Sequence, residues 1–147
     1  MIEYCVGFMF DLNRTCVVAV EKKRPAWQAG HYNGVGGHVE PGEQPHEAMA
    51  REFEEETGVR YEFWHKFVEL HGEGYRLHVF AAFTPAVSAV ETRTDESILI
   101  CKVDWLLQHP RVLPNLRWLI PLALYGQDHL REDVQLFYPI IVSEISA

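Results

Sequence analysis

A chain of 147 residues, 48% hydrophobic and 23% charged, suits a single domain, 1–147, with a sizeable core. Its formal charge of −8 argues against a general grip on a nucleic acid polymer or an anionic membrane, but not against one phosphorylated metabolite bridged through divalent ions. No stretch approaches the roughly 20 apolar residues of a membrane span, and MIEYCVGFMF lacks the basic start and small-residue cleavage site of a secretory leader, so the expected location is the cytoplasm.

Residues 4–10 and 15–20 read as strands, split by a turn at Asp11-Leu12-Asn13-Arg14. Residues 21–37 read as a loop, rich in Gly and holding Pro25. A helix is predicted over 45–57, with Pro45 in its first turn and Gly58 just past its end. Strands are expected at 61–71, at 75–83 and, shorter, at 97–103. A second helical segment is expected over 114–125, interrupted or kinked at Pro121, and a last strand over 134–142. This order predicts an α/β domain, with helices on the faces of a mixed sheet. Cys5, Cys16 and Cys101 have no zinc-site spacing and read as buried free thiols.

The predicted helix over 45–57 carries the chemistry. Glu52, Glu54, Glu55 and Glu56 crowd its last turn, at the negative end of the helix dipole. At 3.6 residues per turn, Glu52, Glu55 and Glu56 share a face with Ala48, whose small side chain leaves room for an ion or a phosphate. Glu47 and Glu54 point to a solvated side, while Met49, Ala50 and Phe53 point toward the sheet. Like charges at this spacing repel. The run by itself fits either a solvated acidic face or a site for hard cations. Carboxylates with a backbone carbonyl from the glycine loop suit Mg²⁺ or Mn²⁺, and such ions neutralise phosphate oxygens and activate water. The loop has no Gly-Lys-Ser/Thr and is not a P-loop.

Gly37, Glu43, Arg51-Glu52-Phe53, Glu55-Glu56 and Gly58-Val59 together resemble the signature of the Nudix hydrolase family, G-x5-E-x7-R-E-U-x-E-E-x-G-U, at every defined position. The resemblance implies an α/β/α sandwich around a mixed sheet. It also implies Mg²⁺- or Mn²⁺-dependent cleavage of a nucleoside diphosphate linked to another group. Carried onto this chain, it makes Glu52, Glu55, Glu56 and the Gly36 carbonyl metal ligands, with Glu52 also a candidate to act on the attacking water. Arg51 would orient a neighbouring carboxylate and Glu43 would buttress the loop–helix junction. Glu96, in Thr94-Asp95-Glu96-Ser97, is the candidate for a further ligand or general base.

Outside that segment, Lys22-Lys23-Arg24, residues 29–37 and residues 113–118 are locally similar to MutT-type and mammalian-type enzymes that clear oxidised purine nucleoside triphosphates. The implied reaction is attack of water on phosphorus, converting a (d)NTP, oxidised or non-canonical bases included, to a nucleoside monophosphate and pyrophosphate. Asn33 and Asn115 are candidates to donate and accept at a base edge. Tyr32, Trp27 and Trp118 are candidates to stack, and Lys22, Lys23 and Arg24 to steer phosphates. Tyr32 and His38 stand where the mammalian-type pattern has Trp and Lys, and Asn115 and Leu116 stand where it has two acids. Tyr75 lies at a distance from Val59 seen in dinucleoside polyphosphate hydrolases, which with ADP-sugar pyrophosphatases are the alternative substrate readings. A non-catalytic nucleotide sensor would be expected to lose box acids that this chain keeps. A homodimer is one assembly the sequence allows.

Overall fold

The structure, a computed structural model, describes residues 1–126 and the backbone of Val134–Phe137. One mixed sheet runs β3–β2–β1–β6–β5–β8, with β4 also on β1 and β7 also on β2. The strands are β1 Ile2–Phe10, β2 Cys16–Glu21, β3 Tyr32–Asn33, β4 Val35–His38, β5 His65–Gly72, β6 Tyr75–Phe83, β7 Ser97–Lys102 and β8 Val134–Phe137. β1 pairs parallel with β6 along its whole length and antiparallel with β4, whose Gly37 faces Cys5. The helices are α1 Pro45–Thr57, α2 Val103–Gln108 and α3 Leu116–Tyr125.

β1 explains the layering. Tyr4, Val6, Phe8 and Phe10 join one buried cluster with Leu106 of α2 and Leu116, Leu119 and Ile120 of α3. The intervening Cys5 and Met9 join a second cluster with Met49, Ala50 and Phe53 of α1. A strand covered on both faces need not alternate polar and apolar residues, and IEYCVGFMF does not. The expected α/β/α sandwich is therefore present.

Several boundaries differ from the expectation. Residues 58–64 form no strand; Tyr61 and Trp64 pack instead beside α1, with the Trp64 ring 5.0 Å from that of Phe53. The 21–37 loop contains a 3₁₀ turn, Ala26–Gln28, and two short strands. α2 was not expected, and α3 runs through Pro121 without interruption. Of the last expected strand, β8 covers the first part, and 138–142 lies outside the described residues. Cys5 is buried, but Cys16 and Cys101 are only half-buried; all three are free. Among the described residues no helix is long and apolar enough to cross a membrane.

The β1–β4 contact depends on a missing side chain. A methyl at Gly36 would lie 1.9 Å from the Cys5 carbonyl oxygen, so no rotamer relieves it. Gly36→Ala is expected to cost about 1–3 kcal/mol as β4 is forced off β1. Thermal unfolding reads this as a drop of several degrees.

Candidate active site

α1 is bracketed as its ends require, with Pro45 in its first turn and Gly58 at φ 80° closing its last. Arg51 joins this helix to the preceding loop. Its Nε and Nη2 donate to the two Glu43 oxygens at 2.8 and 3.0 Å, and Nη2 also donates to the His38 carbonyl at 3.0 Å. Nη1 donates to Glu52 Oε1 at 2.9 Å and reaches Glu55 Oε1 at 3.4 Å. The bidentate bond from Arg51 holds the Glu43 carboxyl below its usual range. Glu52 lies directly over Gly37, where a methyl would come within 2.5 Å of its carboxyl carbon. Burial raises the Glu52 pKa, against the opposing pull of Arg51.

Glu56 is the most strained acid in electrostatic terms. It is 8% exposed, and its Oε2 is buried with no hydrogen-bond partner. Burial pushes its pKa up to about 8; Lys22 opposes this, while Glu52, Glu96 and Glu55 add to it. Ala48, expected beside these acids, packs in the core instead. Glu54 is exposed and meets Arg60 at 3.3 Å.

Glu96, 5% exposed, is fully engaged by the 22–24 segment. Lys22 Nζ donates to it at 3.1 Å, and the Lys23 and Arg24 N–H groups at 2.7 and 3.3 Å. Burial raises its pKa, but these donors outweigh burial and leave it lowered. Arg24 is exposed and pairs with Asp95.

These acids share a cavity of about 840 Å³ with a second group of residues. Its acidic wall comprises Glu52, Glu55, Glu56 and Glu96, with Gly36, Gly37 and Lys22. The other wall offers Tyr4, Val6, Leu77, Leu113 and Leu119, and the amides of Gln28, Asn33 and Asn115. Arg24 and Trp27 also reach it.

Not every expected residue is there. Tyr32 is buried against Trp105, His109 and Arg111, on the opposite side of β3 from Asn33. Trp118 packs on the α2–α3 core. Lys23 is exposed and meets the site only through its backbone N–H. Tyr75 is fully buried in the core. Gln28 and the apolar wall were missed by sequence reading. The period-2 alternation of β1 would have placed Tyr4 and Val6 together, whereas nothing in Trp27-Gln28-Ala29 marks Gln28.

Among the described residues no three His, Cys, Asp or Glu side chains converge closely enough to hold an ion. Glu52 and Glu55 lean on Arg51, and Glu96 on Lys22. The donor set nevertheless suits a hard divalent cation. It is all oxygen, and the Glu56 Oε2 is a buried acceptor with no hydrogen-bond partner.

A family model described as NUDIX domain matches residues 5–121. The fold is similar to a MutT structure from work on Aliivibrio salmonicida and Vibrio cholerae, at TM-score 0.70 and 20% identity over 86% of this chain and 98% of that one. It is also similar to a MutT protein from Methanosarcina mazei, at 0.64 and 18% over 89% and 96%. The NUDIX domain of Shewanella oneidensis NrtR, complexed with ADP ribose, superposes at 0.73 with 14% identity over 86% and 88%. No curated protein matches the sequence.

Proposed function

The chain belongs to the NUDIX domain family, and on that premise we propose that its cavity hydrolyses a nucleoside triphosphate, with oxidised or non-canonical bases among the candidates, to a nucleoside monophosphate and pyrophosphate. At family level the protein is a Nudix pyrophosphohydrolase acting on derivatives of nucleoside diphosphates. The family uses a divalent cation such as Mg²⁺, which when bound neutralises phosphate oxygens and acidifies a coordinated water.

Glu52, Glu55, Glu56 and the Gly36 carbonyl are the groups that would hold Mg²⁺ or Mn²⁺. The observation carrying this reading is the buried, unpartnered Glu56 Oε2 on the same wall as Glu52 and Glu55. Arg51 acts through Glu52 and Glu43: it aims the first and locks the loop with the second. Lys22 supplies positive charge beside the site where phosphate oxygens would lie. The apolar wall and amides take the base.

Glu96 is assigned here to holding Lys22 and the 22–24 backbone rather than to proton transfer. Its oxygens already accept three hydrogen bonds, and its lowered pKa makes it a weaker base than Glu52 or Glu56. Glu96→Gln is therefore expected to reduce kcat by only about 10–100-fold, as for a group that orients another. A loss as large as that of Glu56→Gln would instead make Glu96 the base.

The NrtR likeness favours one second reading, an ADP-ribose-type substrate. Turnover assays across (d)NTPs, diadenosine tetraphosphate, ADP-ribose and nucleotide sugars, with Mg²⁺ and with Mn²⁺, separate the two. The highest kcat/KM is expected among the triphosphates.

A further inference from the structure

Asn33 is committed more as an acceptor within the protein than as a donor, so toward a ligand it offers chiefly its amide N–H. Its Oδ1 accepts the Gly34 N–H at 2.8 Å. That bond fixes the amide, because the flipped form would set NH₂ against N–H. Nδ2 therefore faces Gln28 and donates to Gln28 Oε1 at 3.2 Å. The second amide is fixed in turn, with Oε1 toward Asn33 and Nε2 directed elsewhere.

Gln28 sits on the 3₁₀ turn, is 7% exposed and lines the cavity beside Asn33. Its side chain makes no other hydrogen bond among the described residues. Nε2 is not fully sealed from solvent. Each carbonyl oxygen thus already accepts one bond within the protein, which fixes its direction. The second hydrogen of Asn33 Nδ2 and both hydrogens of Gln28 Nε2 remain unspent.

We propose that Gln28 is a specificity-determining residue, which with Asn33 presents paired amide N–H donors that select the O6/N7 edge of guanine over adenine. Guanine offers two acceptors on that edge, whereas adenine replaces O6 with an amino donor. A donor left facing a donor in a buried site loses its water without gaining a partner. Oxidation at C8 turns N7 into an N–H donor, so the same pair disfavours the oxidised base. This inference rests on the nucleotide reading of the cavity and narrows it to unoxidised guanine nucleotides.

The test uses the full chain with Mg²⁺. Isothermal titration compares dGMP, dAMP and 7-deaza-dGMP, and steady-state turnover compares the corresponding triphosphates. The expected result is at least about tenfold preference for guanine over adenine, with several-fold loss on 7-deaza-dGMP, which lacks the N7 acceptor. Gln28→Glu turns a donor into an acceptor and should reduce the guanine-to-adenine ratio to about one or below. Gln28→Leu should remove the preference without inverting it. Ratios of this kind do not depend on the fraction folded. Equal guanine and adenine constants in the unsubstituted chain, or an unchanged ratio in Gln28→Glu, would overturn the inference while leaving triphosphate hydrolysis intact. Failure to bind or turn over any of these nucleotides would sink both readings.

Discussion

Glu56→Gln should reduce turnover by about 10³-fold or more while leaving the fold in place. Gln keeps the volume of the side chain and one carbonyl oxygen, but removes the negative charge. The surroundings leave that charge poorly compensated: Glu56 is buried, one of its oxygens has no hydrogen-bond partner, and three further acids raise its pKa together with burial. Metal-assisted hydrolysis draws several kcal/mol from ion placement, and each 1.36 kcal/mol is tenfold in rate. Glu52→Gln should behave similarly, with an added loosening of Arg51, which donates to it at 2.9 Å. Steady-state kinetics with circular dichroism on the same samples checks both. Unchanged kcat in a folded Glu56→Gln variant would remove Glu56 from the machinery.

The same residue should make the ion-free protein less stable as pH rises. A carboxyl with a folded pKa raised to about 8 holds a proton that the unfolded chain has already released. Between the ordinary Glu range and that value the folded state binds more protons, so unfolding free energy falls with increasing pH. The slope is at most about 1.4 kcal/mol per pH unit, and the accumulated loss by pH 8 is at most on the order of 4–5 kcal/mol. The lowered carboxyls of Glu43 and Asp11 act oppositely, and their contribution is lost only as pH falls through the acid range. Glu56→Gln should flatten the decline between pH 5 and 8 and melt higher than the unsubstituted chain at pH 8. Excess Mg²⁺ should shrink the decline, because a cation replaces the proton as counter-charge and stabilises the folded state. Melting curves in chelator and in Mg²⁺ measure this. A midpoint that does not fall with pH in chelator, or falls equally in the variant, contradicts it.

α1 was legible because three local signals agree: Pro45 at its start, Gly58 at its end, and apolar Met49, Ala50 and Phe53 on the face it buries. The acid spacing on that helix likewise brought Glu52, Glu55 and Glu56 to one cavity. Residues 61–64 misled because aromatics favour strands, yet Tyr61 is here held against Trp64, and Trp64 against Phe53. Tyr32 and Asn33 were both expected at the substrate. As neighbours on a strand they face opposite ways, so only one could be. The partners of Glu96 were not readable at all, since Lys22 lies 74 residues away in sequence. The Gln28–Asn33 bond spans only five residues, yet it too exists only once the 3₁₀ turn and β3 are placed. What was legible is local periodicity; what was not is contact between polar side chains that depends on where the elements are placed.

The central claim is that this cavity cleaves a phosphoric anhydride with a divalent cation held by the α1 acids. Product analysis on dGTP tests it most directly, comparing Mg²⁺ with chelator and using Glu56→Gln as the blank. The account predicts dGMP and pyrophosphate in equal amounts, only with the cation and only with Glu56 present. Release of orthophosphate with dGDP, or cleavage that continues in chelator or in Glu56→Gln, would contradict it.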